Sequence, residues 1–207
     1  MVKKRYSKLF VVDPSLTSTG WVVFDLQRGG IIKFGVMSDP GAKIVLSERL
    51  KILQQEADSL LSSFKLGKND VLICEGPAHL VLNPQSALKV EQMRGIFEVL
   101  ARKRGVDVPG RVNPRSVQTE VLGLKGAQLE RKEVKRAARN IAERLFAKDF
   151  AKSKKIIPQD VIDASLIGAY CIARIALCEQ LGVDLAETFK EGGRSFARQR
   201  GGRRMSR

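Results

Sequence analysis

The chain has 207 residues, 43% of them hydrophobic, enough for one domain of ordinary size with a real core. Its formal net charge is +15 and its pI about 10.1, which points to an anionic partner: nucleic acid, an acidic membrane surface or an acidic protein. Three scattered cysteines, with no CxxC pair and a single His, exclude a disulfide framework and a structural zinc site and read as reduced core thiols.

The opening "MVKKRYSKLFVV" lacks a long apolar stretch with a small-residue cleavage site, so no secretory signal is expected. Residues 9–12, 21–26 and 31–37 are rich in Val, Ile and Phe and are separated by turn signals, so three antiparallel strands are predicted. The first ends in Asp13, facing the hydroxyl-rich turn "PSLTSTG". Ser15 in that turn is expected to bond the turn's own backbone or a nearby phosphate, and Trp21 to pack. Residues 47–64 place Leu50, Leu53, Ala57, Leu60, Leu61 and Phe64 at helical spacing. "VLICEGP" then gives a continuous apolar strand over 71–74, covered on both faces and ending at Glu75.

Pro84 opens a second helix, which runs to about Lys103 before Gly105. A short strand is predicted at 110–112, a short helix at 115–122, a mobile basic loop at 123–131 and a basic helix at 130–146. A long apolar helix covers 159–181. It is apolar enough to suggest a membrane span, but Asp163 and Arg174 favour a buried helix in a soluble protein. The Gly/Arg-rich end from 190 has too little apolar content to fold and reads as a disordered basic arm. The fold class is therefore α/β: a mixed five-stranded sheet, three strands antiparallel and then parallel, flanked by helices. The domain boundaries are a basic extension at 1–7, the globular unit at 8–185 and the basic tail at 186–207.

Four acids stand in awkward places. Asp13 and Glu75 end buried strands, and Asp160 and Asp163 share one face at the front of the most apolar helix. Singly, each has an ordinary explanation: a turn Asp before Pro, a solvated Glu before Gly-Pro, a helix N-terminal acid. Together they form a different pattern. If the first and fourth strands are neighbours, all four carboxylates meet at a strand-end switch point with no compensating Lys in their motifs. Such a cluster is tolerable when cations neutralise it. Hard oxygen ligands favour Mg²⁺, with Mn²⁺ able to substitute. Two such ions held roughly 4 Å apart suit in-line phosphodiester hydrolysis.

The segments "VVDPSLTSTGW", "ICEGP", "NPQSALKVEQMRG", "VNPRSVQTEVLGLKGA" and "PQDVIDASLIGAY", in this order, resemble the RuvC-type Holliday-junction resolvases of the RNase H-like superfamily, over roughly residues 8–181. The "DPSLTSTG" wording is more similar to the phage branch. The resemblance implies a homodimer acting on branched DNA, with symmetric paired nicks that leave 5′-phosphate and 3′-hydroxyl ends. It implies no membrane, no small-molecule substrate and a cytoplasmic setting. Asp13, Glu75, Asp160 and Asp163 match the family's four acidic metal ligands. The helix holding Ser86 to Lys89 and Gln92 to Gly95 resembles the dimer-forming one, and Arg115, Lys125 and Lys132 match a phosphate-contacting stretch.

Two departures stand out. Gly76-Pro77-Ala78-His79-Leu80 carries no aromatic where well-studied bacterial members have one that helps unstack bases; His79 or Leu80 stands in its place. Gln118 stands where some members have a helpful Lys, with Lys125 or Lys132 as its replacement. Beyond the resemblance, Arg198, Arg203 and Arg204 in the tail are candidate phosphate contacts. Two rival readings are an actin-like nucleotide binder, which needs a longer chain and a second phosphate loop, and a non-catalytic branched-DNA-binding or packaging factor, which has no use for the acidic quartet.

Overall fold

In the computed structural model, residues 6–41, 43–77, 84–124 and 130–189 are described. Three strands open the chain: β1 (Lys8–Asp13), β2 (Ser18–Asp25) and β3 (Ile31–Ser38). Helix α1 (Leu46–Ser63) leads to β4 (Asp70–Glu75), and α2 (Pro84–Lys103) leads to the two-residue β5 (Arg111–Val112). The remainder is helical: α3 (Pro114–Glu120), α4 (Arg131–Leu145), α5 (Ala147–Phe150), α6 (Gln159–Leu181) and α7 (Leu185–Phe189).

The sheet order is β3-β2-β1-β4-β5. β1 runs antiparallel to β2, as β2 does to β3, while β1–β4 and β4–β5 are parallel. This is the mixed sheet expected from the strand spacing. Its central strands are apolar on both faces because helices cover both. Leu9, Val11, Val22, Phe24, Val71 and Ile73 point to one side, against Ile162, Leu166 and Ile167 of α6. Phe10, Val12, Trp21, Val23, Leu72 and Cys74 point to the other, with Leu53 and Leu61 of α1 and Met93 and Phe97 of α2. Trp21 is a packing residue, its ring stacked on Phe10 at 6.0 Å and edge-on to Phe64 at 5.7 Å. All three cysteines are buried free thiols.

Helix α6 is long and apolar enough by composition to cross a membrane, yet it lies against β1 and β2 as the central core helix. Arg174, the charge in its midst, reaches out to Glu120 and stacks 4.9 Å from the Tyr170 ring. Two glycines permit the close approach of α6 to the sheet. A Cβ on Gly168 would lie 2.1 Å from the Phe24 ring, and one on Gly20 would lie 2.1 Å from the backbone oxygen of Asp160.

Two short helices were not legible in the sequence. α5 follows a break at Phe146, and its Phe150 turns into the core, edge-on to Phe34. α7 follows Gly182, whose left-handed conformation ends α6 and turns the chain back. Leu185 and Phe189 of α7 are buried, so packed chain continues past residue 185. At the other end Tyr6 is buried and its hydroxyl donates to Asp107, so the packed unit also begins inside the segment taken as a basic extension. In both cases one or two apolar side chains fold a stretch whose average composition is polar. The basic tail from 190 and most of the expected loop at 123–131 lie outside the described residues.

Because the Phe24 ring leaves no room for a Cβ at Gly168, Gly168→Ala is expected to lower unfolding stability by about 1–3 kcal/mol. A shift of the urea midpoint at unchanged slope measures it.

Candidate active site

The parallel pairing of β1 with β4 sets Val12 opposite Cys74, which brings the next residues, Asp13 and Glu75, side by side at the carboxyl ends of both strands. Ligands of open α/β sheets collect at such ends. Helix α6 starts at Pro158 and lays its first two turns over the same point, bringing Asp160 and Asp163 with it. The absence of a side chain at Gly20, the register partner of Asp13, lets the α6 backbone come down at Asp160.

Each acid has a polar neighbour. The Ser18 hydroxyl donates to Asp160 Oδ2 at 2.5 Å. Gln159 Nε2 donates to Asp163 Oδ1 at 2.9 Å. The other end of that amide accepts from Arg139 Nη2 at 3.3 Å, while Arg139 Nη1 donates to the Ile157 carbonyl at 3.1 Å. Beneath Glu75, the buried guanidinium of Arg94 donates from Nε to the Glu75 carbonyl at 2.6 Å and from Nη2 to that of Gly76 at 3.2 Å. Arg94 is held in turn by Glu91, which pairs with Arg111 of β5, itself bonded to Glu98 by two parallel hydrogen bonds. A charged network on α2 thus fixes the strand end that carries Glu75.

Crowding shows in the protonation of these groups. Burial raises the Asp13 carboxyl well above the usual range, and the charges of Glu75, Asp163 and Asp160 raise it further. Burial also pushes Glu75 up to about 7, although a hydrogen bond from Asp13 and the charge of Arg94 oppose the rise. Burial and mutual repulsion thus favour the protonated form at both strand-end carboxyls. Asp163 is raised by burial, against the lowering effects of the Gln159 hydrogen bond and the positive charges of Lys135 and Arg139.

The donor set is all oxygen, with neutral Ser18 and Gln159 as the exchangeable partners of two of the acids, and this chemistry fits a hard divalent cation. Among the described residues no three His, Cys, Asp or Glu side chains already stand in an ion-holding cluster. Ser18 and Gln159 bond one oxygen each of Asp160 and Asp163 instead.

A profile of the family described as "Crossover junction endodeoxyribonuclease RuvC" matches residues 9–168. The chain belongs to the RuvC family. The RuvC match spans Asp13, Glu75, Asp160 and Asp163. A relative described as "Crossover junction endodeoxyribonuclease RuvC", from Prosthecochloris aestuarii, is 27% identical over 193 residues, covering 92% of this chain and 90% of its own. The fold is similar to that of Thermus thermophilus RuvC, with TM-score 0.62, 18% identity, and 85% of this chain and 97% of that one covered. It is also similar to T. thermophilus RuvC in complex with a Holliday junction substrate, with TM-score 0.59, 18% identity, and 86% and 97% covered. The yeast mitochondrial Holliday junction resolvase aligns with TM-score 0.54, 12% identity, and 87% and 85% covered.

The other candidate residues of this RuvC chain fall in different places. Ser15 is used up inside the turn: its hydroxyl bonds Thr17, its carbonyl accepts from the Thr19 hydroxyl at 2.6 Å, and its amide donates back to Thr19. Arg115 is exposed in the first turn of α3 and bonds Gln118 at 3.1 Å. Lys132 is exposed on α4, on the same face as Lys135 and Arg139 by its spacing of three and seven. Lys125, His79, Arg198, Arg203 and Arg204 lie outside the described residues. The cations whose charge reaches Asp163 are Lys135 and Arg139, one and two turns further along α4 than the expected Lys132. Sequence reasoning also passed over Gln159, Ser18 as a partner of Asp160, and Arg94. A signal existed for Gln159, which sits one helical turn before Asp163.

The raised carboxyls link stability to pH. A buried acid with a raised pKa stabilises the fold fully below its ordinary value of 4.5, and that contribution is lost as pH rises through about 7. In the absence of divalent cation, stability relative to Glu75→Gln is therefore expected to fall by on the order of 3 kcal/mol between those limits. Paired denaturation curves at a series of pH values measure it; parallel pH profiles for the two proteins would contradict it.

Proposed function

We propose that this RuvC-family chain is a divalent-cation-dependent endonuclease that resolves four-way DNA junctions by paired symmetric nicks leaving 5′-phosphate and 3′-hydroxyl ends. The observation that carries the reading is the juxtaposition of Asp13 and Glu75 at the ends of adjacent parallel strands, with Asp160 and Asp163 of α6 over them. These four carboxylates are the proposed ligands. A pair of Mg²⁺ ions, or Mn²⁺ in their place, supplies activation of the attacking water and stabilisation of the leaving 3′ oxygen.

The chain's own residues do the rest. Asp13 and Glu75, raised by burial and mutual repulsion, would serve as ligands in their ionised form. Gln159, gripped by Arg139, holds the Asp163 carboxylate in one orientation, and Ser18 does the same for Asp160. Arg94 fixes the backbone on which Glu75 turns. Lys135, exposed and within electrostatic reach of Asp163, offers positive charge to the phosphate beside the cut. Arg115 and Lys132 extend that positive charge, and Lys125, His79, Arg198, Arg203 and Arg204, outside the described residues, are further proposed DNA contacts.

Symmetric nicking needs two copies. We assign the homodimer contact to the outer face of α2, where Leu88 and Val99 are 62% and 64% exposed and Gly95 has open space around it. The packed unit is the nuclease domain, and the segment from residue 190 is a basic arm.

Asp13→Asn and Asp160→Asn are each expected to bind a synthetic four-way junction like the parent in Ca²⁺, while cutting it in Mg²⁺ about a thousand-fold more slowly, a loss of ~4 kcal/mol of transition-state stabilisation. End-labelled strands resolved on a sequencing gel show both the rate and the symmetry. Undiminished cutting by both variants would overturn the assignment of the acids.

A further inference from the structure

The loop between α5 and α6 carries a feature that the four carboxylates do not explain. Ile156 is 89% exposed, more than any other large hydrophobic among the described residues. Single exposed apolar side chains are ordinary on protein surfaces. Three observations set this one apart.

The loop is held, so the exposure has a structural cause. Upstream, the Ser153 amide donates to the Phe150 carbonyl at 2.9 Å, and the Ser153 hydroxyl both donates to the Lys155 carbonyl and accepts from the Lys155 amide. Downstream, Ile157 is buried, its carbonyl is gripped by Arg139, and Pro158 caps α6. Ile156 stands between two anchored points and is directed outward.

The residues around it are cationic and unengaged. Lys152 is tied to Asp149 at 2.7 Å. Lys154 and Lys155 are exposed, and among the described residues neither ammonium group has a hydrogen-bond or ion-pair partner. An apolar side chain beside free ammonium groups suits neither a protein core nor an acidic protein surface alone. It suits a nucleic acid, which offers phosphates and an apolar base face within one nucleotide step.

The loop is also beside the carboxylates. Asp160 lies four residue steps after Ile156, so their backbones are no more than about 14 Å apart. That is about four nucleotide steps along a strand. Arg139 grips both the Ile157 carbonyl and the amide that orients Asp163, so loop and site are braced by one side chain.

We propose that Lys154, Lys155 and Ile156 form a DNA-contacting tip: the two lysines seat on phosphates next to the cut strand, and Ile156 packs against a base unstacked at the branch point. The inference rests on the nuclease reading for its choice of DNA. It adds a contact that changes the shape of the substrate.

The test uses the full chain and a four-way junction carrying 2-aminopurine at the branch-point positions, in Ca²⁺ so that binding is read without cutting. The parent is expected to raise the fluorescence on binding. Ile156→Ser should melt at the parent's temperature yet, at saturating protein, give a several-fold smaller rise. Ile156→Phe should restore it. Lys154→Ala combined with Lys155→Ala should reduce the slope of log affinity against log salt by about 1.8.

A parent that binds without any fluorescence rise, an Ile156→Ser variant with the parent's rise, or a lysine pair with the parent's salt slope would each overturn the tip. Failure of the nuclease reading looks different: the parent then leaves the junction uncut in Mg²⁺, while the Ca²⁺ measurements still report on the tip.

Discussion

The fold depends on a repulsion that it does not relieve by itself. Parallel pairing of β1 and β4 is required by the core, because both strands are apolar on both faces and must lie at the centre of the sheet. That pairing forces Asp13 and Glu75 together at the strand ends, and α6 closes over them with two more acids. Burial and this crowding raise both strand-end carboxyls above the usual carboxylate range, Glu75 to about 7. A protein selected for stability alone would place apolar or neutral residues there. The arrangement makes physical sense when positive charge arrives from outside the chain, and the resolvase reading supplies it.

Much of the surrounding structure serves to keep these acids in place while they repel. Gly20 and Gly168 let α6 approach the sheet closely. The network of Arg94, Glu91, Arg111 and Glu98 ties α2 and β5 to the backbone at Glu75. Arg139 reaches from α4 to Gln159 and through it to Asp163. Every acid but Asp13 is therefore braced by an element other than the strand pair itself. Asp13 is braced only by its neighbour Glu75, which fits a group that must lose its proton and change partners when a cation binds.

The sheet and its helices were legible because their signals are local or periodic: apolar runs bounded by Gly, and leucines at helical spacing. The four acids were legible as acids at the ends of buried elements, where charge is out of place. What sequence could not offer was the identity of partners distant along the chain. Ser18 and Asp160, or Arg139 and Gln159, meet only once the fold has formed. The resemblance singles out Lys132, while the charges that act on Asp163 come from Lys135 and Arg139, on the same face of α4 one and two turns further along. The short helices α5 and α7 were missed for a related reason. Phe150, Leu185 and Phe189 each bury well, but isolated apolar residues in polar surroundings leave no periodic trace.

The central claim is that the four carboxylates act as one cation site whose raised carboxyls lose protons when the ion enters. Calorimetric titration of the cation-free protein with Mn²⁺ near pH 6.5, in two buffers of different ionisation heat, measures ion binding and proton release together. The account predicts saturable binding with net proton release, and in Asp13→Asn both weaker binding and less release. Binding of equal strength in Asp13→Asn, or binding without proton release, would contradict it.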